Sequence, residues 1–351
     1  MTTTQPTKTS RWTPSTLRTG PSKADRGFLG QPRGLPWMLN VEMWERFSYY
    51  GMRAILLFFI TDEIANGGLG IDENTGAVIL AVYGAAVYLL SIPGGIFADR
   101  VIGPWRSSLY GGVVIMAGHL CLSVPMESLA WAGIVLVAVG TGFIKPNLST
   151  IVGGLYDQGD PRRDTGFQLF YMSINVGAFA SPLVTGWLRE TYSYHAGFAA
   201  AAIGMAFALV AFVYGRSKLS AFAFDVPNPL RSDERDRLLL VSLGSAAGIG
   251  LVTWALYLFL GTWPDAIGYT VFVIALGSSI AYFVIMFRSP KVTSPERTHL
   301  RAYISLWIGA VLFWMIYEQA SGKMAIFAQS HTNGKTPFFG WTIGPEAYQS
   351  V

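Results

Sequence analysis

Residues 42–59 read EMWERFSYYGMRAILLFF, inside the first long apolar run of the chain, 38–61. A run of about 20 apolar residues is long enough to cross a bilayer as a helix. This one nevertheless carries Glu42, Glu45, Arg46 and Arg53. Each charge at a helix centre costs about 2.5–3.5 kcal/mol on insertion scales, so pairing or a wet cavity has to offset it. At roughly 100° per residue, Glu42, Glu45, Arg46, Tyr49, Tyr50 and Arg53 fall within an arc of about 140°. Trp44, Phe47 and Gly51 lie on the opposite side. The charges form one stripe, which points into the protein rather than into lipid. Glu42 and Arg46 are four apart with the acid first, the favourable order for an ion pair on a helix. An ion-pair cluster that locks helices together would explain one such pair. Four charges with two tyrosines on one face fit a functional cavity better, the default for ionisable groups at membrane depth.

The rest of the chain agrees with a membrane setting. Of its 351 residues, 52% are hydrophobic and 13% charged, against about 25% charged in a soluble domain. The mean hydropathy is +0.40. The net charge of +4 is no nucleic-acid signal, because the basic residues sit in short loops between apolar runs. Cys121 is the only cysteine, which excludes an internal disulfide. Residues 1–37 are polar and basic and lack the apolar core of a signal peptide. They are expected to form a disordered cytoplasmic tail, with the first span an uncleaved anchor. No H-E-x-x-H, G-x-S-x-G or Walker A pattern occurs, and the histidines are scattered. An enzyme, a cofactor and a metal site are therefore not expected.

Nine segments qualify as spans: 38–61, 76–97, 107–124, 128–148, 166–187, 195–215, 238–261, 266–287 and 300–319. The expected fold class is all-α and polytopic, since no strand-period alternation competes. Charge alternates from loop to loop. Lys8, Arg11, Arg18, Lys23, Arg26 and Arg33 precede the first span, whereas 62–75 holds acids and no base. Arg100 and Arg106, then Arg162 and Arg163, then the basic stretch from Arg216 to Arg237, then Arg288 to Arg301 mark one side. The positive-inside rule puts that side, and the N-terminus, in the cytoplasm. An odd number of spans with an external end suggests an incomplete chain.

Further polar residues stand at membrane depth. Lys145 lies near the end of the fourth span in GTGFIKPNLST; it either snorkels to the surface or lines a pocket beside a helix broken at Pro146. Tyr171 and Asn175 share a face of the fifth span, as interhelical hydrogen-bonding or pocket groups. The second span offers Tyr83 and Tyr88, and the ninth ends in FWMIYEQ with Glu318. His119 is isolated in the third span and reads as a core or interhelical hydrogen-bonding residue.

These stretches together resemble the proton-coupled oligopeptide transporter family of the major facilitator superfamily, over essentially everything from Pro36 to Val351. EMWERFSYYG is similar to that family's first-helix E-x-x-E-R-F-x-Y-Y-G signature. GGIFADRVIG resembles its loop motif between helices 2 and 3, FQLFYMSINVGAF its fifth-helix motif, and FWMIYEQ the start of its seventh-helix motif. The resemblance implies a bacterial-type member with the major facilitator fold. Residues 38–215 would form the N-terminal six-helix bundle, 216–237 a cytoplasmic linker and 238–287 the extra helix hairpin of prokaryotic members. Residues 288–351 would supply a linker, helix 7 and an external loop, with helices 8 to 12 missing.

By the same resemblance, Glu42, Glu45, Arg46, Lys145 and Glu318 would form the proton-coupling set. Tyr49, Tyr50, Arg53, Tyr88, Lys145 and Asn175 would hold substrate, with Tyr88 preferred over Tyr83. Asp99 and Arg100 would belong to the gating loop. The implied activity is proton-coupled import of di- and tripeptides by alternating access in a bacterial cell membrane. Protons would be the coupling ion, with no cofactor, nucleic acid or obligate protein partner. A nitrate or other small-anion symporter of the same branch is the nearest alternative; a non-transporting receptor or assembly subunit is the alternative of another class.

Overall fold

The computed structural model describes residues 23–331. Its long helices are α1 (Leu35–Thr61), α2 (Glu73–Phe97), α3 (Pro104–Leu122), α4 (Glu127–Gly153), α5 (Arg162–Thr191), α6 (Tyr194–Gly215), α7 (Ser232–Leu260), α8 (Trp263–Arg288) and α9 (Ser294–Tyr317). A short α10 (Lys323–His331) follows. Each of the nine expected spans is a helix, because in lipid a single segment must satisfy its own backbone polar groups. The helices overrun the apolar runs: α4 reaches Gly153 rather than 148, and α5 starts at Arg162 rather than 166. Hydropathy marks where a helix enters hydrocarbon, not where its hydrogen-bond ladder ends. Seven helices are long and apolar enough to cross a membrane by length and composition; α1, with its charges, and the shorter α3 are not among them.

Local chemistry sets the helix starts. The Asp72 carboxylate accepts from the backbone N–H groups of Asn74 and Thr75 at 3.1 and 3.0 Å, capping α2. Pro104 opens α3 directly after Gly103, whose φ of 84° favours glycine. A Thr293–Glu296 capping box opens α9.

Among the described residues, one compact unit holds 23–55 and 87–236, and a second holds 56–86 and 237–331. In the first, α3 packs chiefly on α4 and then on α6, and α5 packs on α6. The α3–α4 seam closes on paired glycines. A methyl at Gly111 would stand 2.7 Å from the Gly140 carbonyl oxygen, and one at Gly118 would stand 2.9 Å from that of Gly133. Such small-residue seams let backbones meet where the surrounding lipid supplies no hydrophobic drive to associate.

Pro146 does not break α4, so the broken-helix alternative for this stretch is not what the structure has. The helix is continuous from Glu127 to Gly153. Proline removes the N–H that would have bonded the Gly142 carbonyl. Gly94 of α2 packs so closely over that oxygen that a Cβ there would collide with it. On either side the ladder is reinforced: Asn147 donates to the Phe143 carbonyl at 2.7 Å and Thr150 to the Pro146 carbonyl at 2.9 Å.

The tail expectation also needs correction. Residues 1–22 lie outside the described residues, but Phe28–Gly30 form a 3-10 turn and α1 already begins at Leu35. The segment is tied to the α4–α5 turn. Arg162 donates to the carbonyls of Asp25 and Gly30 at 2.7 and 3.0 Å, and Tyr156 donates to Gln31 at 2.9 Å. Asp160 holds Arg162 at 2.7 Å. The Arg162 hydrogen bonds pull the Asp160 carboxyl down from 3.8 to about 2. A carboxyl whose pKa falls on folding contributes stability that is complete above its ordinary value and lost as pH falls through the folded one. The Asp160→Asn substitution is therefore expected to speed amide hydrogen exchange at Gly30 and Gln31 several-fold at pH 7. In the unaltered protein that loosening should start only below about pH 4. Equal exchange in both proteins would mean that Asp160 does not hold the segment.

The residues after α6 are likewise docked. The Ser220 hydroxyl donates to the Gly154 carbonyl at 2.6 Å, and Asn228 and Leu230 donate backbone N–H bonds to the carbonyls of Asp99 and Arg100, both at 2.9 Å. Trp105 stacks on Phe212 at 5.5 Å and also meets Phe224. In the second unit, Phe283 of α8 meets Trp307 of α9 edge-on at 5.6 Å, and Thr253 of α7 bonds Thr270 of α8 at 3.1 Å. Helices α7 and α9 bury no residue among the described ones, and their surfaces are rich in exposed Leu, Val, Ile, Phe and Trp. Lys323 opens α10; residues 332–351, where the external loop is expected, lie outside the described residues.

Candidate functional site

The charged stripe of α1 is buried within the first unit. Glu42 and Glu45 are each 1% exposed and Arg46 9%. The Arg46 Nε stands 2.7 Å from Glu42 Oε1 and 3.2 Å from Glu45 Oε2. The first contact is also a hydrogen bond; neither Glu45 oxygen accepts one among the described residues. One guanidinium therefore serves two carboxylates unequally. Glu42 is held in geometry, whereas Glu45 is held by charge.

The stripe stays in place because the back of α1 is also covered. Trp44 and Phe47 pack against Gly204 of α6, and Trp44 meets the Phe207 ring at 5.0 Å. Gly51 sits against Ser181 and Thr185 of α5, and Thr185 donates to the Gly51 carbonyl at 3.0 Å. Gly177 of α5 lies so close to the Met43 carbonyl that no side chain fits there. On a third side, Ser48 and His119 of α3 share a hydrogen bond of 2.7 Å, both fully buried. The sequence left His119 as a core or interhelical hydrogen-bonding residue; it is both, buried and bonded to Ser48. Gly177, Ser48 and Thr185 were missed; Ser48 is a hydroxyl residue on the back of the charged helix, whereas Gly177 and Thr185 are small or hydroxyl residues of α5 that meet that back.

Lys145 of α4 faces this group. Its ammonium lies 3.5 Å from the centroid of the Tyr88 ring of α2, a cation–π contact. Lys145, Arg46 and Glu42 all act electrostatically on Glu45. Tyr50 is within electrostatic reach of Arg46, Tyr88, Arg53 and Glu45. Tyr49 is buried, with its ring 5.2 Å from that of Tyr50. The first unit thus brings Glu42, Glu45, Arg46, Tyr49, Tyr50, Arg53, Tyr88 and Lys145 together. Tyr83, the less favoured tyrosine, is buried.

Asn175 makes no hydrogen bond to that cluster among the described residues. Its side chain is exposed and donates to the Tyr171 carbonyl of its own helix at 2.9 Å. Gly177, two residues on, presents the face of α5 that meets α1. Glu318 belongs to the second unit, at the junction of α9 with the 3-10 turn Glu318–Ser321. Asp99 and Arg100 sit in a π-helical turn, Ala98–Ile102. Arg100 pairs with Glu234 at the start of α7 at 2.5 Å, a partner 134 residues away that no local pattern announces.

A model of the POT family matches residues 107–351. The chain belongs to the POT family. It is 44% identical to the uncharacterized transporter YclF of Bacillus subtilis, over 88% of this chain and 62% of that protein. It is 39% identical to a di-/tripeptide transporter of Lactococcus lactis subsp. cremoris, over 93% of this chain and 67% of that protein. Among solved structures, a POT peptide transporter in complex with sulfate matches with a TM-score of 0.83 and 42% identity, covering 93% of this chain and 66% of that one. A POT family transporter in complex with 5-aminolevulinic acid matches with a TM-score of 0.87 and 39% identity, covering 95% and 69%. The chain therefore spans about two thirds of the relatives it matches. These POT neighbours have the all-helical major facilitator fold, and their transport role together with the apolar helices makes this a multi-pass membrane protein.

Proposed function

We propose that the protein to which this chain belongs is a proton-coupled symporter that imports di- and tripeptides by alternating access. It would lie in a bacterial cell membrane with its N-terminus in the cytoplasm, as the loop charges favour. The observation that carries this reading is the pair of buried carboxylates sharing Arg46, with Lys145 alongside. Glu42, Glu45, Arg46, Lys145 and Glu318 form the proposed proton-coupling set, and Asp99 and Arg100 the proposed gating turn.

A peptide of variable side chains is recognised by what all peptides share: an ammonium, a carboxylate and a backbone. Such a zwitterion calls for fixed charges of both signs in a site partly screened from water. Tyr49, Tyr50, Arg53, Tyr88 and Lys145 supply cations, hydroxyls and aromatic faces. Asn175 adds an amide oxygen with no bond among the described residues. Proton uptake at Glu45 removes one of the two negative charges that Arg46 serves. The guanidinium then interacts more strongly with Glu42, and the field at Lys145 changes. That links a proton to a cation able to bind the substrate carboxylate. Inward movement of one proton across 100 mV supplies about 2.3 kcal/mol. Rocking about a site near the bilayer midplane would expose it to each side in turn.

The direct test is uptake of labelled dialanine into proteoliposomes carrying the protein expressed from its complete gene, with an imposed proton gradient. Saturable uptake that collapses with a protonophore is the expected result. Uptake that ignores the gradient, or none, would overturn the reading. The Lys145→Ala substitution is expected to lower coupled uptake at least ~10-fold with near-normal yield, because a charge-assisted bond to substrate is lost. A lysine that merely snorkels to the surface would leave transport unchanged.

A further inference from the structure

Resting on the transport reading above, we propose that the cleft between the facing ends of α4 and α5 is a second substrate station, in which Arg163 holds the peptide carboxylate between the Lys145 site and the cytoplasm. The cleft measures about 590 Å³, and Ser149, Thr150, Gly153, Tyr156, Arg163 and Phe167 line it, with Phe222 of the docked segment after α6. An adjoining cleft of about 520 Å³ shares Arg163 and Phe167 with it and adds Asp164, Gln168 and Tyr171.

Two adjacent arginines have opposite states here. Arg162 is committed to Asp160 and to the carbonyls of Asp25 and Gly30. The Arg163 guanidinium forms no ion pair among the described residues and lies 5.7 Å from the Phe167 ring centroid. It is exposed to the cleft, with its Nη2 3.9 Å from where a Cβ on Gly153 would stand. A planar fork with unsaturated donors suits a carboxylate, beside the Ser149 hydroxyl, whose bond to the Pro146 carbonyl is a long 3.4 Å. Asp164, in the adjoining cleft, offers the opposite charge that the ammonium of a zwitterion needs.

The station lies on a line from the proposed binding site. On α4, Lys145, Ser149 and Gly153 follow at intervals of four; on α5, Asn175, Tyr171, Phe167 and Arg163 do the same, so each set shares a helix face. The rise from Lys145 to Gly153 is about 12 Å at 1.5 Å per residue. An extended dipeptide spans about 7 Å at most. A dipeptide is shorter than that rise, which favours Arg163 as a separate stop rather than a wall of the first site.

The test compares the KM for dialanine at the two membrane faces, using intact cells and inside-out vesicles that carry the protein from its complete gene. Arg163→Gln is expected to raise the cytoplasmic-face KM about 10-fold more than the external-face KM, the scale of one charge-assisted contact. Arg163→Lys should restore part of the difference, and Ser149→Ala should give a smaller shift in the same direction. C-terminally amidated dialanine, which has no carboxylate, should show no shift. Equal changes at both faces, an equal shift with the amide, or no change would overturn the proposal. The comparison is repeated in phosphatidylcholine liposomes. An effect that vanishes without anionic lipid would assign Arg163 to a headgroup phosphate and overturn it too. Failure of the unaltered protein to move peptide overturns the transport reading itself, and this station with it.

Discussion

The Glu45→Gln substitution is expected to abolish concentrative uptake of dialanine while leaving exchange of peptide across the membrane intact. One proton per neutral zwitterion at 100 mV supports an accumulation of up to about 50-fold, from about 2.3 kcal/mol. The variant should fall to a ratio of about 1, the value for a carrier that only equilibrates its substrate. Glutamine keeps the shape of the side chain but cannot take up and release a proton. Glu45 is the member of the pair best suited to that cycle. It is fully buried, 3.2 Å from the shared Arg46, and unlike Glu42 it accepts no hydrogen bond among the described residues. The measurement is accumulation against a gradient beside counterflow at equal concentrations. A variant that still concentrates peptide would show that Glu45 is not an essential coupling group. Loss of both activities would point to damaged folding.

Arg46→Gln should have the largest effect on the folded state. It leaves Glu42 and Glu45, each 1% exposed, side by side without the cation that serves both. Breaking a buried pair from one side costs about 3–5 kcal/mol, because the surviving charge remains buried. Little monodisperse protein should be recovered in detergent, with a lowered melting temperature. The triple substitution Glu42→Gln, Glu45→Gln and Arg46→Gln removes the stranded charges and should restore yield without restoring coupled transport. If Arg46→Gln alone were as stable as the unaltered protein, the cluster would be wetter than the structure indicates.

What the sequence made legible was whatever depends on local period. The charges of α1 could be placed on one face because their spacing follows the helix, and each apolar run became a helix because lipid leaves the backbone no other partner. Lys145 was legible as an unusual charge, though not the Tyr88 ring beneath it, since that contact joins two helices whose rotation no single segment specifies. Pro146 misled, because its freed carbonyl is covered by Gly94, a residue 52 positions earlier in the chain. The segment before α1 misled for a similar reason. It is polar and rich in turn-formers, but its carbonyls find Arg162 on the far side of four helices. Asn175 was placed on the helix that packs on α1, but the residue that meets α1 is Gly177, two positions on, while the Asn175 side chain is exposed and bonds its own helix.

The glycine contacts of α4 have a mechanical consequence. Along this helix, backbone touches backbone on two sides: Gly94 over Gly142, and Gly111 and Gly118 against Gly140 and Gly133. Elements joined in this way have no side-chain cushion to shear, and sliding one past another forces main-chain atoms into collision. Residues on this frame therefore move like teeth cut into one gear. Lys145 and the Tyr88 ring beneath it are carried on one frame, so in the proposed transport cycle a change in what Lys145 meets would come from surfaces carried past it and not from a rearrangement within the frame.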